Sequence, residues 1–103
     1  MNIQQMMKQA QALQAKMAQV QAELKTRELI GSSGGGKVKI TMNGAHEVTA
    51  VAIDPSVVRP DETDLLEDLV LAALNDARAK VTRMIEEEMG RVTGGLGLPP
   101  GLL

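Results

Sequence analysis

The sequence contains no cysteine, tryptophan, tyrosine or phenylalanine, and it has a single histidine. Without cysteine the chain forms no disulfide, has no catalytic thiol and lacks the thiolate ligands of the usual structural zinc sites. Without aromatic side chains it cannot stack single-stranded bases, and its core must be built from aliphatic residues. Seven methionines are available for that packing, and their flexible side chains fill irregular gaps.

Long hydrophobic runs are also absent. The longest is Leu69 to Leu74, far below the roughly 18 residues that a membrane span requires. Asn2, Gln4 and Gln5 interrupt the apolar core that a signal peptide would need. With 103 residues the chain has the length of one domain, and we expect a soluble, cytoplasmic protein that does not enter a membrane.

Two segments carry a helical pattern. In the first, apolar residues recur in alternating steps of three and four, the heptad pattern of a coiled coil; we call this set the seam, and it comprises Ile3, Met6, Ala10, Leu13, Met17, Val20 and Leu24. The second apolar face runs from Leu66 to Val92 and follows acidic residues at Asp61, Glu62 and Asp64, which favour a helix start. The predicted helices have about 24 and about 30 residues, or roughly 36 Å and 45 Å.

The segment between the helices has the pattern of a small sheet. Residues 26–30 are predicted as a short edge strand, followed by a flexible loop over the serines and glycines of residues 31–36. Residues 37–42 then alternate in the manner of a strand, and residues 47–53 form the return strand. The predicted subunit is therefore α+β, with the order α-β-β-β-α.

Two details of the hairpin follow from single residues. Asn43 and Gly44 are typical of a type I′ turn. On the return strand, Val48 falls on the face opposite to Val51 and Ile53, and a bulge near Thr49 and Ala50 would bring them together.

The predicted helices are much longer than the sheet, which is only about 10 to 15 Å wide and about 20 Å long. Burying the six large side chains of the seam is worth roughly 9 to 18 kcal/mol, so the seam needs a covering surface. We expect a homodimer with projecting helices, although the seam could also pack within one chain. Residues assigned to the core or the dimer interface are Val38, Ile40, Met42, Leu66, Leu69, Val70 and Ala73. One domain over residues 1–93 is predicted, since Gly94 and Gly95 should end the second helix, with a flexible Gly/Pro-rich tail over residues 94–103.

No group of residues indicates catalysis or metal binding. Gly31, Gly36 and Lys37 match part of a phosphate-binding loop, but Val38 replaces its Ser or Thr and a strand follows where that loop needs a helix. His46 has no second histidine or thiol beside it, and the consecutive residues 86–88, all glutamate, point in different directions on a helix. We expect no enzymatic activity, no cofactor and no small-molecule substrate.

Charge is distributed unevenly. Residues 1–53 carry six basic side chains against three acidic ones, and residues 54–103 carry five against ten. Through Ala22 the polar side of the first helix has Lys8, Lys16, seven glutamines and no carboxylate. Such a surface is suited to lie beside phosphates and sugars, although an ordinary helix-bundle surface remains the alternative.

Five motifs occur in a fixed order along nearly the whole chain. They are MKQAQ at residues 7–11, KVKITMNGAHEV at 37–48, IDPS at 53–56, LEDLVLAALNDA at 66–77 and GLGLPPG at 95–101. Together they resemble the YbaB/EbfC family of bacterial nucleoid-associated proteins. The resemblance implies an α-β-β-β-α subunit, a tweezers-shaped homodimer, and duplex DNA held between helices from both ends of the chain. It also implies a role in nucleoid organisation and gene expression.

Within the matching helices, charge and polarity select the candidate DNA contacts, which are Lys8, Gln9, Lys16, Lys80, Arg83 and Arg91. We expect little or shape-based sequence preference. A competing hypothesis is a scaffold without DNA binding, in which the seam and the methionines accept a partner helix.

Overall fold

The computed structural model describes residues 2–95, which form an elongated body of 70 × 20 × 16 Å. The elements are α1 (Ile3–Thr26), β1 (Glu28–Ser33), β2 (Val38–Asn43), β3 (Val48–Ile53) and α2 (Thr63–Gly95), with short 3-10 turns at Gly34–Gly36 and Pro55–Val57. The predicted α+β class and the α-β-β-β-α order are confirmed. Because α2 continues through Gly94 and Gly95, it ends later than predicted. The rest of the predicted tail, residues 96–103, lies outside the described residues.

The three strands form one antiparallel sheet with β2 in the centre. Val38 pairs with Ile53 and Ile40 with Val51, so these side chains share one face. Thr41 pairs with Ala50 but Met42 pairs with Val48, which leaves Thr49 as one extra residue on β3. The predicted bulge is confirmed, and it returns Val48 to the face of Val51 and Ile53.

Helix α2 packs against β1 at a glycine. A Cβ atom on Gly31 would lie 2.2 Å from the backbone nitrogen of Ala77 and 2.4 Å from the carbonyl oxygen of Ala73, so only glycine permits this approach. The predicted edge strand is confirmed, but its predicted bounds of 26–30 and the loop over 31–36 were wrong. Thr26 ends α1, and β1 runs on to Ser33 because Gly31 is a packing residue within the strand. The turn is confined to Gly34–Gly36, where all three glycines have positive φ angles.

The hairpin between β2 and β3 also differs from the prediction. A type I′ turn needs positive φ at both central residues, whereas the positive φ of 61° lies at His46 and Gly44 has none. Asn43 N–H donates to the Glu47 carbonyl and His46 N–H to the Asn43 carbonyl, each at 3.0 Å, which closes a three-residue loop. Gly44 is needed for contact with α1, since its Cβ would lie 2.3 Å from the Leu24 carbonyl oxygen. Its N–H donates to that oxygen at 3.0 Å.

The core lies between α2 and the β1–β2 half of the sheet, and α1 adds its last two turns. Its buried aliphatic residues are Val20, Leu24, Val38, Ile40, Met42, Ala73, Ala77, Val81, Met84 and Val92. Of the residues assigned from sequence to core or interface, Val38, Ile40, Met42 and Ala73 are buried within the single chain. Leu66, Leu69 and Val70 are partly buried at the margin of this core.

Side chains of α2 close the outer edge of β1. The Asp76 carboxylate accepts the Ser32 N–H at 2.9 Å, and the Lys80 ammonium donates to the Ile30 carbonyl at 2.9 Å. Lys80 and Asp76 also pair with each other at 3.3 Å. The Ser32 N–H, followed by Lys80, lowers the pKa of Asp76 below its ordinary value of 3.8. One free edge of the sheet is thereby protected from pairing with another strand.

We predict that Gly31→Ala destabilises the fold by at least about 2 kcal/mol, because the added methyl group must push the α2 backbone away. Gly90→Ala is the matched control, since its Cβ meets nothing within 4 Å and alanine favours a helix. Urea unfolding should show a loss of stability for the first variant and no loss for the second. Equal stability of the two variants would contradict the close packing at Gly31.

We predict that Asp76→Asn lowers the melting temperature at neutral pH. The melting temperature of the variant should also fall less than that of the wild type when the pH is lowered. A carboxylate whose pKa is lowered on folding stabilises the native state above its unfolded pKa. That stabilisation disappears as the pH falls below 3.8 through the folded value. The melting temperatures of wild type and variant should therefore converge in acid, whereas Asp68→Asn, an exposed carboxylate on the same helix, should follow the wild type throughout.

Candidate nucleic-acid interface

Three of the predicted DNA contacts lie on α1 outside the seam, and we call these three residues the outer face of α1. Lys8, Gln9 and Lys16 are all exposed. At 100° per residue, Lys8 lies on the side of the helix opposite to the seam. Lys8 and Lys16 are about 12 Å apart along the helix axis, and neither forms an ion pair within residues 2–95. Their ammonium groups are available to an external anion.

Lys80, in contrast, is engaged within the protein. Its ammonium group bonds to the Ile30 carbonyl and pairs with Asp76, at the edge of β1. Part of its charge is therefore already balanced, and its hydrogen bonds stabilise the sheet. A phosphate contact by Lys80 would have to share the group with these partners.

Arg91 and Arg27 are connected through one carboxylate. Glu88 pairs with Arg27 at 3.0 Å and also accepts a hydrogen bond from Arg91. The Arg91 side chain is nevertheless mostly exposed, so its guanidinium keeps donors that face solvent. Glu88 thus fixes the end of α1 to the second half of α2 and places two arginines beside it.

Arg83 lies in an open pocket of about 230 Å³ between β1 and α2. The pocket is lined by Arg27, Leu29, Lys80, Arg83, Met84 and Glu87. Arg83 forms no ion pair with any residue from 2 to 95. Three cationic side chains line the pocket, but Arg27 is paired with Glu88 and Lys80 with Asp76, so Arg83 is the lining cation that can attract an anion without giving up an ion pair within residues 2–95.

Arg27 was missing from the predicted contacts. In sequence Arg27 directly follows the first helix and precedes a glutamate. Neither feature indicates that it lies beside Lys80 and Arg83. In the structure Lys80 and Arg83 line the pocket from α2, and Arg27 lines it from the end of α1. Lys8, Gln9 and Lys16 do not line this pocket. The basic surface therefore has two parts, the pocket beside β1 and the outer face of α1.

The other sequence candidates occupy ordinary structural positions. Lys37 precedes β2 and contacts Ser56 at 3.1 Å, and the glycine turn before it does not begin an α-helix. His46 lies in the hairpin loop with Nε2 3.5 Å from the Thr82 hydroxyl. Within residues 2–95 no cluster of His, Asp or Glu is arranged to hold a metal ion. Over the same range no helix is long and apolar enough to cross a membrane.

Comparison with known proteins gives close relatives over nearly the whole chain. A protein of Rhodospirillum rubrum named as nucleoid-associated is 52% identical over 98% of this chain and 94% of its own length. A protein of Rhodopseudomonas palustris with the same kind of name is 56% identical over 94% of this chain and 92% of its own length.

A solved structure shares the fold. The crystal structure of an uncharacterised protein from Helicobacter pylori superposes with a TM-score of 0.79, covering 88% of this chain and 96% of that one. Its sequence is 22% identical, so the likeness concerns the fold alone. Residues 1–96 match the YbaB/EbfC DNA-binding family, as the sequence motifs predicted. This chain belongs to the YbaB/EbfC DNA-binding family.

Proposed function

We propose that this protein binds duplex DNA in the bacterial nucleoid as a homodimer, with the outer face of α1 and the pocket around Arg83 as its basic surfaces. The observation that carries the proposal is the outer face of α1, where two lysines without ion pairs stand among glutamines and no carboxylate occurs before Glu23. Membership of a DNA-binding family and relatives named as nucleoid-associated proteins support it. Because the bacterial nucleoid lies in the cytoplasm, a protein bound to it is cytoplasmic.

The chemistry of these surfaces favours contact with the sugar-phosphate backbone. Lys8 and Lys16 offer point charges, the glutamine amides offer neutral donors, and Arg83 and Arg91 offer planar guanidinium groups. Backbone contacts carry no direct sequence information, so we expect binding to unrelated duplexes and at most a preference for DNA shape. The absence of aromatic side chains makes single-stranded DNA the poorer ligand.

The open face of β3 supports the homodimer. Val48, Val51 and Ile53 lie on the face of the sheet that α2 covers, yet they are 39% to 54% exposed because α2 lies over β1 and β2. We call these three residues the β3 face. All six residues of β3 are exposed and none is charged, whereas α2 closes the opposite edge of the sheet. An uncharged, exposed edge strand normally requires a cover.

Helix α2 extends this apolar surface. Asp76 and Lys80 face the β1 edge, so residues on the other flank of the helix, including Leu71 and Leu74, lie toward β3. Leu71 is 57% exposed and Leu74 is partly buried. We propose that a second copy of the chain packs against this flank and the β3 face about a two-fold axis. The dimer would then present two copies of each basic surface, as the tweezers shape requires.

We predict that binding to unrelated DNA duplexes weakens steeply with salt. If the dimer neutralises four to six phosphates, log K should fall against log salt with a slope of roughly −4 to −5. Lys8→Glu with Lys16→Glu should weaken binding at least about tenfold and reduce that slope, because about four contacts per dimer are lost. Gel-shift titrations at several salt concentrations measure both effects.

The matched control reverses two other exposed cations, Lys39 on β2 and Arg59 before α2. Lys39→Glu with Arg59→Glu changes the net charge equally but lies away from α1. We expect this control to keep most of the wild-type affinity. A flat salt response of the wild type, or equal loss in both variants, would contradict DNA binding through α1.

We predict that Val51→Glu converts the dimer into a monomer, because a carboxylate would be buried in the proposed interface. Ala50→Glu is the control, since Ala50 is the adjacent β3 residue and points to the other face of the sheet. Light scattering coupled to size-exclusion chromatography at micromolar concentration should report twice 11.0 kDa for wild type and control, and 11.0 kDa for the variant. A folded wild-type monomer would contradict the dimer, and a dimeric Val51→Glu would contradict this interface.

A further inference from the structure

The second half of α2 extends beyond the sheet and carries Arg91. Within residues 2–95, the last side-chain hydrogen bond from α2 to a strand is the one from Lys80 to the Ile30 carbonyl. Arg91 lies about 16 Å further along the helix axis. The lysines of the outer face of α1 stand on a helix that is fixed separately, by its backbone contact with Gly44. One duplex can meet both sets of cations only if this half of α2 is held in place against α1.

Apolar packing between the two helices is loose. Ala18 and Ala22 of α1 line an open groove of about 560 Å³ together with Ile85 and Met89 of α2. The alanine side chains are too short to fill this space, and the methionine side chain adapts to several positions. Apolar contacts also have no preferred direction. The packing along this groove therefore permits small changes in the position of α2.

A polar link crosses the junction at Glu88. Its carboxylate pairs with Arg27, the C-terminal capping residue of α1, at 3.0 Å, and the same oxygen accepts a hydrogen bond from Arg91. Within residues 2–95, the pair with Arg27 is the only ion pair that joins the end of α1 to α2. The Glu88 side chain is 19% exposed, whereas those of Arg27 and Arg91 are 50% and 74% exposed. A shielded carboxylate thus holds two guanidinium groups that both reach solvent.

We propose that Glu88 is a positioning residue for DNA binding. It fixes the second half of α2 to the end of α1 through Arg27, and it orients the Arg91 guanidinium toward the duplex that the outer face of α1 contacts. Each guanidinium has five N–H donors, so it binds a phosphate while it keeps its bond to the carboxylate. This inference rests on the proposed function and adds a residue that DNA binding requires but that does not itself contact DNA.

The negative charge of Glu88 makes this role testable. A carboxylate beside a DNA-binding surface repels phosphates, and its field extends over a Debye length of about 8 to 10 Å. On charge alone, the removal of this carboxylate should strengthen DNA binding. A positioning role predicts the opposite sign.

We predict that Glu88→Gln weakens binding to an unrelated duplex at least about threefold in gel-shift titrations, because glutamine has a similar size but forms no ion pair with Arg27. Glu86→Gln is the matched control, since Glu86 is an exposed carboxylate two residues away that forms no ion pair within residues 2–95. The control should bind DNA as tightly as the wild type or more tightly. Binding by Glu88→Gln that equals or exceeds that of the wild type, or an equal loss in both variants, would overturn the proposal.

A double-mutant cycle separates positioning of Arg91 from a general loss of stability. Arg91→Gln should weaken binding at least about threefold in the wild type but less than about twofold in the Glu88→Gln background, where the guanidinium is no longer held. Equal effects of Arg91→Gln in the two backgrounds would overturn the proposal. Urea unfolding of each variant gives the folded fraction under the assay conditions, and each dissociation constant is corrected for that fraction.

The wild type distinguishes the failure of this inference from the failure of the proposed function. A wild-type protein that shifts no duplex contradicts the proposed function, and the positioning role with it. A wild type that binds, together with Glu88→Gln that binds equally well, contradicts the positioning role alone.

Discussion

The fold depends on the direct contact between the α2 backbone and the β1 backbone. Gly31 has no side chain, and the helix presents Ala73 and Ala77 opposite to it, so the two backbones approach within distances that no Cβ would permit. This approach brings Asp76 and Lys80 within hydrogen-bonding distance of the outer β1 groups. It also draws α2 toward β1 and away from β3. The protected edge and the bare edge of the sheet therefore have one cause.

This asymmetry leaves one strand of the sheet without a cover. The core contains only aliphatic side chains, and α2 covers two of the three strands of the sheet. The third strand keeps valine and isoleucine on the face that belongs to the core, which is favourable only if another surface buries them. The single chain therefore leaves part of its core face open, and the lysines of α1 stand on a helix that extends away from it.

The elements that could be predicted from sequence are those that depend on periodicity. The heptad spacing from Ile3 to Leu24 predicted α1, and the position of Val48 on the face opposite to Val51 predicted the bulge. Both predictions were possible because side-chain direction repeats regularly along helices and strands. Gly31 and Gly44 were misassigned for a common reason. A glycine required by a distant backbone has the same appearance in sequence as one required by a turn, and only the tertiary contacts with Ala77 and Leu24 separate the two.

The candidate site was predictable to a smaller extent. Charge alone selected Lys8, Lys16 and Arg83, which are free of ion pairs in the described part of the chain. It could not distinguish Lys80, which is held by Asp76, or reveal Arg27, which reaches the pocket from across the fold. Contacts between side chains far apart in sequence form only in the folded state, so local composition does not predict them.

The contact between Gly44 and Leu24 has a mechanical consequence. It fixes the C-terminal end of α1 to the hairpin, and α2 packs beside the same half of the helix through Glu88 and Met89. The part of α1 from Ile3 to Leu13 continues for about 15 Å beyond that support. The direction in which this end of the rod points is therefore set at the sheet, by the backbone contact at Gly44.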